Sequence, residues 1–180
     1  MKGIVFTEFL EFSELKFGAS QVDQAIMNSQ LATGGAYTAV GTYDHRELMA
    51  ILSQLSTGTG LSVSELLLSF VHHLFGVLAR SYAQLVAHVT DAFSLIESVD
   101  GEIHTEVCKL YPDAQLPKFT HIRKGGDQLV LIYRSERALG DLAEGLLRGC
   151  FGHFREAVRV TREDLSNGTG TVVRFELQRI

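Results

Sequence analysis

From Lys2 to about Tyr111, apolar residues recur at the spacing of helices that bury one face. Val5, Phe9, Phe12 and Lys16 fall along one line, flanked by Phe6 and Leu10, and Gly18 ends the pattern. A second short helix fits residues 21–31, followed by a loop at Gly34-Gly35. Asp44 with Glu47, and Ser62 with Glu65, each have the spacing of a capping box, in which two side chains satisfy the open N–H groups of a helix start. The first opens a helix through Leu48, Ile51, Leu52 and Leu55, closed by Thr57-Gly58-Thr59-Gly60. The second opens a longer helix through Leu66, Phe70, Leu74 and Val77. Helical pieces follow at 82–89, 93–99 and 102–110.

After Tyr111-Pro112 the pattern turns strand-like. Segments 119–123 and 128–133 are β-branched and aromatic, and Gly125-Gly126-Asp127 joins them as a hairpin. A helix fits 139–154. A second hairpin pairs 158–161 with 172–177 around Ser166-Asn167-Gly168-Thr169-Gly170. The expected class is α+β, with a helical N-terminal part and an antiparallel sheet carrying one helix.

Composition narrows the function. The chain has 180 residues, a length that suits a single domain, and 46% of them are hydrophobic, which excludes disorder as its overall state. No apolar stretch reaches the roughly 18 residues of a membrane span, and Glu8 and Glu11 interrupt any leader core. A cytoplasmic protein without membrane insertion is the expectation. The net charge of -5 does not suit neutralisation of nucleic-acid phosphates. Two cysteines, Cys108 and Cys150, do not make a disulfide framework. Phosphate-loop and nucleophile-elbow patterns are missing, and Gly145, Gly149 and Gly152 fall inside a helical stretch where they permit close packing. No enzymatic activity is expected.

Two segments hold candidate chemistry. His104 sits in a helix whose apolar line is Ile103, Val107 and Leu110, and it shares a face with Cys108. It reads either as a core-edge histidine bonded to a carbonyl or as a metal ligand, since a pair with Cys108 supplies only two of the four ligands of a structural zinc. His72 and His73 point to different helix faces, and His45, His88, His121 and His153 suit solvated positions. In Tyr133-Arg134-Ser135-Glu136-Arg137, a strand would turn Tyr133, Ser135 and Arg137 to one side. That row reads as an exposed strand end or as a grip for a carboxylate or phosphate.

The two segments together resemble the haem nitric oxide/oxygen binding (H-NOX) family, which includes the sensor domain of soluble guanylate cyclase. Met1-Lys2-Gly3-Ile4-Val5 resembles that family's start. His104, followed by Leu110-Tyr111-Pro112 and Leu116-Pro117, resembles its proximal histidine helix. Tyr133-x-Ser135-x-Arg137, about thirty residues later, matches its haem-propionate motif, and Leu139 through Gly149 resembles the next helix. The resemblance spans essentially the whole chain.

It implies a single sensor domain over residues 1–180, with haem b (iron protoporphyrin IX) between a helical lobe and a sheet-bearing lobe. His104 would be the axial ligand and the metal's one protein contact. Tyr133, Ser135 and Arg137 would bind the propionates, Pro117 would press on the porphyrin, and Ile4 and Val5 would line the pocket edge. Distal hydrogen-bonding positions of oxygen-binding members align with Phe9, Leu74 and Leu142, all apolar here. Positions of a zinc site found in some relatives align with Gly140, Leu142 and Leu165, so only Cys150 stands nearby. Val71 stands where the family has a glycine on the long helix. The resemblance implies a nitric oxide sensor that also binds carbon monoxide. It would release its Fe–His bond and signal to a separate histidine kinase or cyclic-di-GMP enzyme. The alternative is a cofactor-free signalling interaction module of the same fold.

Overall fold

A computed structural model describes residues 1–180, the side chain of Leu85 excepted. The chain forms two compact units, Met1–Leu74 and Phe75–Ile180.

The first unit holds α1 (Gly3–Phe17), α2 (Ala19–Asn28), α3 (His45–Thr59) and the first part of α4 (Val63–Ser81). Gly18 ends α1 at φ 89°, a conformation that favours glycine, and its N–H bonds the Glu14 carbonyl. The face of α1 that is buried runs Phe6, Phe9 and Ser13, one step round from the expected line, which leaves Lys16 outside. Phe9 meets Phe70 edge-on at 5.1 Å, and Phe6 stacks on Tyr37 at 4.5 Å. Gly3 is required where it stands, because a Cβ there would come within 1.8 Å of the Thr38 carbonyl oxygen.

The two capping boxes differ. At α4, Ser62 Oγ accepts from Glu65 N at 3.2 Å and Glu65 Oε2 accepts from Ser62 N at 2.9 Å, completing the reciprocal pair. At α3, Asp44 accepts from Arg46 N at 2.9 Å, but Glu47 does not reach back. Its Oε2 accepts instead from Tyr37 OH at 2.7 Å and Thr33 Oγ1 at 2.5 Å, hydroxyls of the preceding loop that outcompete the backbone donor. Burial, with the Glu47 carboxylate also acting against Thr33, pushes the Tyr37 phenol up to about 12.

By length and composition α4 is apolar enough to cross a membrane, with a mean hydropathy of 1.3, which corrects the expectation that no such stretch exists. The reason is a double stripe of core residues: Leu66, Leu67, Phe70, Val71 and Leu74 are all buried.

The second unit contains the rest of α4, α5 (Ala83–Val86), α6 (Ala92–Ser98), a π turn (Val99–Ile103) and α7 (His104–Leu110). Strands β1 (Lys118–Lys124) and β2 (Gln128–Arg134), helix α8 (Gly140–Phe154), and strands β3 (Val158–Asp164) and β4 (Val172–Arg179) complete it. The sheet is antiparallel in the order β1-β2-β4-β3, so the two hairpins join through β2 and β4. Leu129, Leu131 and Tyr133 lie opposite Leu177, Phe175 and Val173, and all six are buried. Their cluster includes Phe93, Leu95 and Ile96 of α6 and Ala143, Leu147, Cys150 and Phe151 of α8.

The start of α6 is tied to the end of the sheet by charge. Asp91 caps the helix through Phe93 N and Ser94 N, at 3.1 and 3.2 Å. Arg179 reaches Asp91 at 2.6 Å, Glu156 at 2.8 Å and the Gly126 carbonyl at 2.9 Å, with its guanidinium 4.4 Å above the Phe93 ring. Glu156 also accepts from Ala92 N at 2.8 Å. Burial raises the Asp91 carboxyl, but Ser94 and Arg179 outweigh it and hold the group below 3.8. The stabilisation is therefore complete above that pH and fades as pH falls through the lower folded value. Asp91→Ala should cost about 1–2 kcal/mol in urea unfolding at neutral pH. The gap from wild type should narrow in acid, and a gap independent of pH would contradict the role of the ionised cap.

Candidate functional site

His104 is the first residue of α7, and its N–H bonds the Val99 carbonyl five residues back, in the register of a π turn. Such turns are uncommon and recur at functional positions. Neither the π turn nor α7 has a buried residue, so the segment is lightly held. The His104 side chain is 17% exposed, and its ring lies 5.9 Å from Phe119, which in turn lies 5.7 Å from Tyr133. An aromatic row thus runs from the histidine to the sheet. Desolvation lowers the His104 pKa below 6.5, more than nearby Asp100 raises it, which favours the neutral imidazole that can donate a lone pair to a metal.

Beside His104 is an open groove of about 570 Å³, walled by Asp100, Thr105, Cys108, Leu116 and Pro117 among others. Among the described residues, no group of three or more His, Cys, Asp or Glu side chains could hold a metal ion. A porphyrin brings four nitrogens of its own, so iron held that way needs one axial imidazole. Cys108 is exposed on the same groove, whereas Cys150 is buried and its thiol is pushed up to about 12 by that burial.

The Tyr-x-Ser-x-Arg residues do not form a strand row. Strand β2 ends at Arg134, and Ser135 through Ala138 make a turn, with Ala138 at φ 54°. Ser135 N still bonds the Thr171 carbonyl at 2.9 Å, and its hydroxyl accepts from Arg137 N at 3.2 Å, a local bond that closes the turn. Tyr133, 2% exposed, accepts from Leu139 N at 3.0 Å. Arg137 donates to the Gln115 carbonyl at 2.7 Å and to its side-chain oxygen at 2.9 Å. It therefore reaches the segment that also supplies Leu116 and Pro117 to the groove. In these contacts Tyr133 and Ser135 only accept, so each keeps an O–H to donate. Both partners of Arg137 are uncharged oxygens. The set fits a ligand bearing carboxylates.

Pro117 and Leu142 are half-buried in the second unit. In the first unit, Ile4 and Val5 are half-buried and Phe9 and Leu74 are buried. Asp100, Phe119 and Gln115 escaped the sequence reading. Asp100 had the helical spacing to reach His104, whereas Phe119 and Gln115 arrive through tertiary contacts.

A family model described as haem-NO-binding matches residues 2–162. The chain belongs to this family. An H-NOX protein from K. algicida, solved in the unliganded Fe(II) state, is 39% identical, with 100% of this chain and 97% of that one covered at TM-score 0.94. The H-NOX from Shewanella woodyi, solved with IWP-051 in the Fe(II)CO state, is 38% identical over 100% and 95% of the two chains, at TM-score 0.86. The S. oneidensis H-NOX in its Fe(II)NO state, at 24% identity, 100% and 99% coverage and TM-score 0.90, shares the fold. No curated protein matches the chain. The helices and four-stranded antiparallel sheet are thus those of H-NOX proteins, a family of haem-binding gas-sensor domains.

If the turn grips haem carboxylates, the variant Tyr133→Phe, Ser135→Ala, Arg137→Ala should lose haem to a scavenging globin far faster than wild type. Arg137→Ala alone should account for about 1.5–3 kcal/mol of that weakening. Unchanged retention in the triple variant would place the carboxylates elsewhere.

Proposed function

We propose that this H-NOX chain is a non-enzymatic nitric oxide sensor of the cytoplasm, holding haem b through His104. The observation that carries the reading is the mostly buried His104 imidazole, 17% exposed, on a helix without a fully buried residue and beside a groove. Haem would supply a ferrous iron able to take nitric oxide or carbon monoxide, and nitric oxide would release His104 from it. His104 would be the protein's one ligand, Tyr133, Ser135 and Arg137 would hold the propionates, and Pro117 would press on the porphyrin. Ile4, Val5, Phe9, Leu74 and Leu142 are the apolar positions that the family resemblance assigns to the pocket.

On release His104 would free α7, whose few packing contacts let it shift at small cost. The freed helix would bias a two-state equilibrium read by a separate effector, which the family resemblance points to as a histidine kinase or a cyclic-di-GMP enzyme. The preference for nitric oxide follows from the distal residues. Oxygen gains from a hydrogen-bond donor over its outer atom, and Phe9, Leu74 and Leu142 carry none.

The test is to expose the ferrous protein separately to air and to nitric oxide and to follow its absorption. Nitric oxide should give a five-coordinate spectrum, and air should give no stable oxygen complex. Leu142→Tyr is the change expected to create one. A stable oxygen complex in the wild type, or a nitric oxide complex that stays six-coordinate, would overturn the reading.

A further inference from the structure

The environment of His104 has a feature that the family resemblance did not supply. Asp100 lies four residues before it, on the π turn. One carboxylate oxygen, Oδ1, faces two groups. It accepts from Phe119 N at 2.9 Å, which satisfies a backbone donor near the start of β1, and it lies 3.7 Å from His104 Nδ1. The first bond fixes the oxygen in place. The second distance is an ion-pair separation, a few tenths of an ångström beyond a hydrogen bond. Asp100 and His104 both wall the same groove, and the Phe119 ring backs the imidazole at 5.9 Å.

We propose that Asp100 is the positioning residue of His104, accepting its Nδ1–H so that Nε2 is presented to iron. The inference rests on the reading of His104 as axial ligand. Withdrawal of electron density through Nε2 makes the opposite N–H a stronger donor, so metal binding draws the ring towards a carboxylate already aimed at it. A carboxylate in that place fixes the tautomer and the ring orientation and makes the imidazole a more basic ligand. It would therefore strengthen the hold of His104 on iron. Asp100 sets how readily the histidine is released, and it couples that release to β1 through Phe119 N.

Two substitutions separate the roles. Asp100→Asn keeps an oxygen to accept from Phe119 N but removes the anionic acceptor. Asp100→Ala removes both. The probe is the Fe–His stretching band in the resonance Raman spectrum of the ferrous, unliganded protein, together with the rate at which nitric oxide releases the histidine. Both variants should move the band to lower frequency by similar amounts, and release should be about 10-fold faster in each. A band at the wild-type position in Asp100→Asn would overturn the proposal, including the case where Asp100→Ala alone moves it, because the residue would then act only by anchoring β1. A wild-type protein with no Fe–His band would overturn the reading of His104 itself.

Discussion

Between Val99 and Leu110 no residue is fully buried, and the segment that carries His104 is held by Ile103 packed on the core and by bonds near its start. On the upstream side α6 is embedded through Phe93, Leu95 and Ile96, and its first turn is clamped by Asp91, Arg179 and Glu156. At the π turn Asp100 ties the segment to β1 through Phe119 N. What lies beyond is a two-turn helix in which His104, Glu106 and Val107 are half-buried, His104 facing the Phe119 ring. Elements with few buried contacts are the ones that open at least cost, and a sensor draws its moving part from them. In the proposed sensor, firm anchoring next to light packing would let one broken bond at His104 have a mechanical consequence.

The sheet supplies a more deeply buried part. Tyr133 is buried in the same cluster as Leu131, Val173 and Phe175, and its hydroxyl holds the start of the α8 segment through Leu139 N. The turn after it is closed by the Ser135 hydroxyl and leaves Arg137 directed to Gln115. The proposed grip on carboxylates would depend on donors that need little rearrangement to meet them. Here the phenol is fixed by burial, the serine by its turn and the arginine by two oxygens of one residue.

Much of this was legible from residue order alone. The helix-to-strand transition after Tyr111, both hairpins and the helix over 139–154 follow from hydrophobic period and turn chemistry, which are local properties. Ser62 and Glu65 made the capping pair that their spacing implied, whereas Glu47 was captured by Thr33 and Tyr37, partners that only tertiary folding delivers. The π turn was invisible because the apolar spacing of 102–110 is the same whichever register precedes it. The expected row of Tyr133, Ser135 and Arg137 on one strand face does not form: Ser135 N still bonds the Thr171 carbonyl, but beyond it the serine hydroxyl accepts from Arg137 N and the chain turns. His104 could be picked out among seven histidines by resemblance, while the Asp100, Phe119 and Gln115 contacts around it depend on the assembled sheet.

The most direct measurement is the ferrous absorption spectrum of His104→Gly beside that of the wild type. With His104 as the iron's protein ligand, the wild type has one haem per chain and an intense five-coordinate Soret band. The variant loses that spectrum, and added imidazole, filling the space of the missing side chain, restores it. A His104→Gly spectrum identical to wild type without imidazole would contradict the assignment. A wild-type chain that purifies and reconstitutes without any Soret band would contradict the haem-sensor reading and favour a cofactor-free interaction module of the same fold.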